Sequence, residues 1–325
     1  MGQKIPRILA IGAATQDVFL RNSRDIKTVQ ENNHDLLTLE MGSKIDIDKI
    51  DFATGGGATN AAVTFARAGL SASFMGAIGG DQAGHQVLKD LDAEFVDTSR
   101  VEISENYNTD YSTVILAPNG ERTILTYRGA SSHIFADNLK FESREFDWLY
   151  VSNLAGRFDV LDKIFYETAK KDIKIMWNPG KKELAHPELI LNLLNDVEVL
   201  LLNKEEAQTL FGEFEPEELL LRAKNLVKVV IITAGADGVW ASDGEFMVRA
   251  GMYEDVPRKD TTGAGDAFGS GFLSQWSQGA GIKQSILYAS ANSTSVIQHM
   301  GAKKGILRKG EELHSMPMYE KRLDV

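Results

Sequence analysis

Asp260-Thr261-Thr262-Gly263-Ala264-Gly265-Asp266, running directly into Ala267-Phe268-Gly269-Ser270-Gly271-Phe272-Leu273, is the stretch that decides how this chain is read. A glycine-rich turn that opens a helix directs backbone N–H groups toward one point, and the helix dipole favours negative charge there. The glycines on either side of Ala264 leave the turn bare, so a ligand can come close to the backbone. Asp266 falls in the first helical turn, where a carboxylate can be a simple cap or dipole partner. In so open a turn it is equally placed to act on whatever the amides hold.

Working outward, strand, turn and helix recur. Residues 8–11 form an apolar run that stops at Gly12 and feeds a loop ending near Asp17, and Gly55-Gly56-Gly57-Ala58-Thr59-Asn60 opens a helical pattern closed by Gly69. A strand at 74–78 turns through Gly79-Gly80-Asp81 into a helix reaching about residue 91. Further strands are expected at 148–151, 173–177, 197–202 and 229–233, helices at 160–170, 187–194, 204–211 and 216–226, and a hairpin around Asp243-Gly244. Helices near 264–278 and 282–298 close the series, and the polar tail from Lys309 reads as peripheral. This rhythm predicts an α/β fold: a doubly wound, mainly parallel sheet with helices on both faces.

Two segments break the rhythm. Residues 22–51 are polar, with the alternating stretch Lys44-Ile45-Asp46-Ile47-Asp48 read as exposed strand, and 110–117 and 122–127 are β-rich runs joined by Pro118-Asn119-Gly120-Glu121, a hairpin signal. They predict a small β-sheet lid from 18–52 and 107–128 over a core made of 1–17, 53–106 and 129–325. Ligands are then expected outside the carboxyl ends of the core strands.

Composition limits the chemistry. The 325 residues contain no cysteine, which excludes disulfides, thiolate metal sites and a cysteine nucleophile, and no signal-peptide h-region or membrane-length apolar run is present, so a cytoplasmic location is expected. The formal net charge of −11 argues against a nucleic-acid partner. It also means that phosphates must be held by local dipoles and metal ions, not by a basic surface.

The complete match of Asp260 to Asp266 to the form D-T-x-G-A-G-D makes the chain resemble the ribokinase-like (PfkB) carbohydrate kinases, and the glycine cluster ending at Asn60 is similar to their N-terminal signature. Asn203-Lys204-Glu205-Glu206 and Thr233-Ala234-Gly235-Ala236-Asp237-Gly238 follow the family's N-x-x-E and T-x-G-x-x-G elements in order, so the resemblance runs from residue 8 to about 305. It implies an ATP-dependent kinase with Asp266 as base and the amides of Gly263, Ala264 and Gly265 as anion hole. It places Asp17, Gly56, Gly57 and Asn60 on the hydroxyl acceptor, and Asn203, Thr233, Gly235, Gly238 and Asn292 on the nucleotide. Mg²⁺ is expected near Glu206, through water, and a K⁺ ion beside Asp260 and Thr262. Asn203 with Glu206 also reads as a helix-capping pair.

The chain departs from the family on the acceptor side. Gly57 stands where some members carry lysine, and Asn178-Pro179-Gly180-Lys181-Lys182 follows the sugar kinases only loosely. Tyr127-Arg128 resembles a lid-proximal pair whose arginine binds a substrate carboxylate in the keto-deoxygluconate branch, which keeps a sugar acid among the candidate acceptors beside ribose, fructose and a nucleoside; an arginine in such a place is more often a solvated strand-end residue. A monomer or a homodimer joined through the lid is expected. A dinucleotide oxidoreductase would need a glycine fingerprint directly after the first strand, which Gly12-Ala13-Ala14-Thr15-Gln16 lacks. A non-catalytic sugar- or nucleotide-binding protein would be expected to lose the base or the anion hole, and both are kept.

Overall fold

The computed structural model describes residues 4–21, 25–32, 34–117, 122–253, 256–313 and 315–323. At its centre lies a nine-stranded sheet in the order Ser71–Met75, Arg7–Ile11, Trp148–Val151, Lys174–Trp177, Val199–Asn203, Val229–Thr233, Val239–Ser242, Phe246–Ala250 and Met318–Arg322. The run from Ser71–Met75 to Val229–Thr233 is parallel, and the remaining strands extend it antiparallel. Strands covered on both faces read as continuous apolar runs. Ile8 and Ala10 accordingly enter one apolar layer while Leu9 and Ile11 enter the other. Helices Gly57–Arg67, Ala264–Trp276 and Ile282–Ile297 build the first layer, and Phe158–Lys171, Lys204–Phe211 and Pro216–Ala223 the second. The α/β fold expected from the sequence is the one found. No helix among the described residues is long and apolar enough to cross a membrane.

A second, four-stranded sheet has the order Arg122–Tyr127, Asp110–Leu116, Thr15–Arg21 and Lys49–Gly55. Its pairing register puts Asp17 between Ala53 and Ser112 on one face. The opposite face carries Ile50, Phe52, Leu125 and Tyr127, all exposed.

Several local expectations change. Asp17 lies inside a strand and not in a loop, because the chain leaves Ile11 at Gly12 and is taken up into this second sheet from Thr15, with partners on both sides. Residues 44–48 make no ladder; pairing starts at Lys49, opposite Arg21, and the extra strands in this region are the hairpin Lys27–Glu31 with His34–Thr38. The run 74–78 divides at Gly76, where a β-carbon would lie 2.4 Å from the Gly12 carbonyl oxygen, so that Ala77–Gly79 pairs separately with Glu102–Ser104. The tail is not merely peripheral: Met318–Arg322 pairs with Phe246–Ala250 as a charged edge strand. The expected turn at 118–121 lies outside the described residues.

Gly79-Gly80-Asp81 is structural, as its sequence suggests. Asp81 caps the Gln82–Ala93 helix by accepting from Gly84 N at 2.8 Å, and it also takes Thr109 N and Oγ1 at 2.8 and 2.7 Å, tying the helix to the root of the second sheet. Glycine inside a helix normally costs about 1 kcal/mol relative to alanine. At Gly84, however, a β-carbon would lie 2.2 Å from the Gly79 carbonyl oxygen, a backbone atom that cannot step aside. Gly84→Ala is therefore expected to destabilise the protein by about 2 kcal/mol, lowering the urea midpoint, instead of raising it as helix propensity alone would have it.

Candidate active site

Two helix N-termini meet where the two sheets join. Gly56, at φ 101°, caps the Gly57–Arg67 helix, and a β-carbon there would lie 2.3 Å from the Ala13 carbonyl oxygen. Gly57 is equally bare by necessity: its β-carbon would stand 2.3 Å from Ser152 Oγ and 3.1 Å from Asp266 Oδ1. One turn further, Asn60 donates from Nδ2 to Asp266 Oδ2 at 2.9 Å. Its other amide atom, Oδ1, is buried with no hydrogen-bond partner among the described residues.

The second helix begins at Gly263, whose left-handed φ of 78° makes it the N-cap of Ala264–Trp276. Helix starts leave their first N–H groups unbonded. Among the described residues those of Gly263 and Gly265 have no backbone acceptor, while that of Ala264 makes a long 3.3 Å turn bond to Thr261 O. Burial pushes the Asp266 carboxyl above its ordinary range, against the opposing pull of the Asn60 hydrogen bond and of the Lys303 ammonium. The loop itself is braced by Asp260, which is buried and accepts from Thr262 N at 2.9 Å and Gly301 N at 3.0 Å.

Beside this turn opens a cavity of about 260 Å³. Thr233, Gly235 and Gly238 line it together with Ala264 and Gly265, and so do Arg258, Ser293 and Thr294, which the sequence did not single out. Gly238 is required by space as well as by its φ of 94°, since its β-carbon would fall 2.1 Å from the Ala250 carbonyl oxygen. Asn292 does not belong to this wall. It is fully buried, donating to Ala267 O at 2.8 Å and accepting from Leu307 N at 2.9 Å, so it ties the last two helices and the following loop together and does not line the cavity. Its helical neighbours Ser293 and Thr294 face the cavity in its place.

Asn203 and Glu206 cap their helix reciprocally, Asn203 N to Glu206 Oε2 and Glu206 N to Asn203 Oδ1, both at 2.8 Å. Glu206 keeps a second oxygen, and burial raises its pKa. No cluster of three or more metal-ligating side chains occurs among the described residues. Mg²⁺, which keeps several waters and is commonly held by one or two carboxylates plus phosphate oxygens, does not need one. Arg128 stands exposed just past the Arg122–Tyr127 strand, with no ion pair or hydrogen bond among the described residues.

Asp17 is buried on the inner side of the second sheet. Desolvation pushes its pKa up to about 6, with Asp260 and Asp266 adding repulsion while Lys303 and the Ser112 hydroxyl pull the other way. Lys303 had no sequence signal: it sits beside the exposed Lys304 in a short polar loop, and nothing in the order of residues separates the two.

A bare helix start beside a cavity, with one carboxylate at its tip and a second on a facing sheet, defines a phosphoryl-handling enzyme of the α/β class. Residues 24–308 match the pfkB family of carbohydrate kinases, and the chain belongs to that family. It is 29% identical over 301 residues to an ATP-dependent 6-phosphofructokinase of Thermoanaerobacterium thermosaccharolyticum, covering 88% of this chain and 91% of that one. A ribokinase of Haemophilus influenzae is 26% identical over 283 residues, 84% and 90% of the respective chains. Among solved structures, a fructokinase double mutant from Vibrio cholerae with fructose, ADP and potassium bound superposes with a TM-score of 0.75 at 20% identity, covering 94% of this chain and 97% of the other. The chain is thus a kinase of the sugar type, with ATP as the co-substrate its family implies.

The raised pKa of Asp17 has a consequence for stability. The folded form holds its proton up to about pH 6, whereas the unfolded carboxyl loses it near its model value of 3.8. Between these values the native state binds more protons, so stability falls as pH rises, and the cost is complete above pH 6. Asp17→Asn is expected to raise stability at pH 7.5 by about 1–3 kcal/mol, a gain that fades as the pH is lowered to 4 in parallel denaturation series. A gain independent of pH would mean that the carboxylate bears no such burden.

Proposed function

We propose that Asp266 is the general base and that the amides of the 263–265 turn are the anion hole of a phosphoryl transfer from ATP to a hydroxyl of a small sugar. One observation carries this reading: Asp266 sits at the opening of a helix N-terminus whose Gly263 and Gly265 amides have no backbone acceptor among the described residues, fixed by Asn60 Nδ2 at 2.9 Å and faced by the bare backbone of Gly57. The cavity behind Ala264 and Gly265 suits the nucleotide, and the space toward Asp17 suits the acceptor. The second sheet acts as a lid over that space; its strands Thr15–Arg21 and Lys49–Gly55 extend past the bounds 18–52 read from the sequence at both ends, while Asp110–Leu116 and Arg122–Tyr127 fall within 107–128.

In this reaction the acceptor hydroxyl gives its proton to an Asp266 oxygen as its own oxygen bonds to the γ-phosphorus. The bond from that phosphorus to the bridging oxygen of ADP breaks, and the turn amides stabilise charge on the transferring group. Asp17 accepts hydrogen bonds from neighbouring acceptor hydroxyls, and Asn60 Oδ1 offers a further unclaimed acceptor. Mg²⁺ held near Glu206 through water would neutralise the polyphosphate. Raised pKa values at Asp266 and Asp17 bring both carboxylates nearer to neutrality than ordinary aspartates, which favours proton uptake by the base.

Asp266→Asn is expected to keep the fold and nucleotide binding while lowering kcat by about 10²–10⁴-fold, as measured by coupled ADP release over D-ribose, D-fructose, fructose 6-phosphate, keto-deoxygluconate and adenosine. Undiminished turnover on the best acceptor would remove Asp266 from the chemistry.

The Asp260 loop fits a monovalent cation. Thr262 Oγ1 is buried and has no partner among the described residues, and the Asp260 carboxylate beside it keeps spare lone pairs after accepting two amides. Exchange of Na⁺ for K⁺ at constant ionic strength is expected to raise kcat and the melting temperature of the ATP complex, and Asp260→Ala to abolish both differences. Equal values in Na⁺, K⁺ and tetramethylammonium would show that the turn needs no ion.

A further inference from the structure

Lys303 lies in the loop after the Ile282–Ile297 helix and is half-buried. Its Nζ donates to the Thr54 carbonyl at 2.8 Å and approaches Thr54 Oγ1 at 3.4 Å. Thr54 belongs to the Lys49–Gly55 strand of the second sheet, in register with Gln16, one residue before Asp17. The backbone of Lys303 is held from the opposite direction, its carbonyl accepting from Arg67 Nη1 at 2.9 Å. The two residues before it support the glycine turn: Gly301 N donates to Asp260 Oδ2 at 3.0 Å, and the Ala302 methyl fills the space where a β-carbon of Gly263 would lie 2.3 Å away. One loop therefore touches the amide turn through its backbone and the covering sheet through one ammonium.

That ammonium forms no contact ion pair among the described residues. It acts at longer range on Asp17, Asp90 and Asp266 together. Asp17 and Asp266 repel each other, and each is drawn toward its charged form by Lys303. Two carboxylates facing one space cannot both stay ionised cheaply without a cation nearby.

We propose that Lys303 is a positioning residue of the acceptor subsite: moored on the Thr54 carbonyl, its charge lets Asp17 and Asp266 stand ionised together, and its loop holds the lid strand in register with the amide turn. The assignment rests on the roles given above to those two aspartates. Lys303 touches neither the transferring group nor the nucleotide, so its removal acts on acceptor affinity through Asp17 and on turnover through Asp266, leaving ATP affinity alone.

The test is a series at one position, assayed by ADP release with the best acceptor of the panel above. Lys303→Met is expected to raise the acceptor KM by about tenfold or more, the scale on which one nearby opposite charge acts on a carboxylate, with the KM for ATP within twofold of wild type. Lys303→Arg keeps the charge and is expected to restore most of the loss. Lys303→Gln keeps a donor for the Thr54 carbonyl without the charge and is expected to resemble Lys303→Met. If Gln restores the acceptor KM as well as Arg does, Lys303 is a tether only and the charge role is overturned. Wild-type kinetics in Lys303→Met would overturn the assignment while leaving the proposed reaction intact. A wild-type enzyme that phosphorylates none of the five acceptors, or an Asp266→Asn variant with full turnover, would remove the reaction and this assignment with it.

Discussion

The pair of hydrogen bonds that Asp260 accepts from Thr262 N and Gly301 N is the constraint on which the site depends. A glycine turn is flexible by composition, since its residues lose more freedom on folding than any others. Anion-hole donors are useful only if they stand in place before charge develops. Here the flexible turn is clamped at its start by a buried carboxylate and backed by Ala302, and the helix that follows is fixed to its neighbour by Asn292 and by Ser293, which donates to the Ala264 carbonyl at 2.9 Å. The glycines leave the turn bare, and the surrounding bonds remove the freedom that the glycines would otherwise bring.

The same logic explains how a chain of net charge −11 handles a polyphosphate. The cavity side offers helix-end amides and glycine turns, with Arg258 the one basic side chain on the cavity wall among the described residues. The acidic groups Asp17, Asp260 and Asp266 are not scattered: one braces a loop, one stands at the helix tip, and one faces them from the second sheet, with Lys303 set to compensate. Beside the cavity, helix-end amides thus stand where a basic surface stands elsewhere, while the Lys303 ammonium offsets the carboxylates on the other side.

How much of this was legible in the sequence depended on whether the signal was local. The 260–266 turn, the 55–60 glycine cluster and the strand-helix alternation are local patterns, and they stand where they were expected. Asn203 and Glu206 were read both as a cap and as a nucleotide element because the spacing of a capping box and of the family motif coincide; the structure shows the cap. Asp17 was misplaced into a loop because its strand has buried neighbours on both sides, Gln16 and Val18, and so lacks the alternation that marks a half-exposed strand. The edge strand Met318–Arg322 was missed for the opposite reason: its residues are almost all exposed, and it forms through the ladder offered by Phe246–Ala250. Asn292 was drawn toward the nucleotide by its place in the chain, one position before a residue that does face the cavity.

The covering sheet makes the limits of local reading clearest. Its strands come from three separated stretches of chain, and its pairing is decided at the root, where Asp110 accepts from Gly129 N at 2.9 Å, Ser131 N at 3.2 Å and the Ser131 hydroxyl. Asp81 holds Thr109 from the adjoining helix. These bonds are buried and doubly or triply shared, so both ends of the Asp110–Tyr127 hairpin leave the core from fixed points, while Arg122–Tyr127 itself is exposed along its whole length. The buried polar bonds are concentrated at the base of the sheet, and the far edge is exposed. That division explains why the turns at 55–60 and 260–266 were legible in the sequence while the second sheet was less so: the former are clamped turns with a fixed vocabulary, the latter is assembled from distant stretches and ends in an exposed strand.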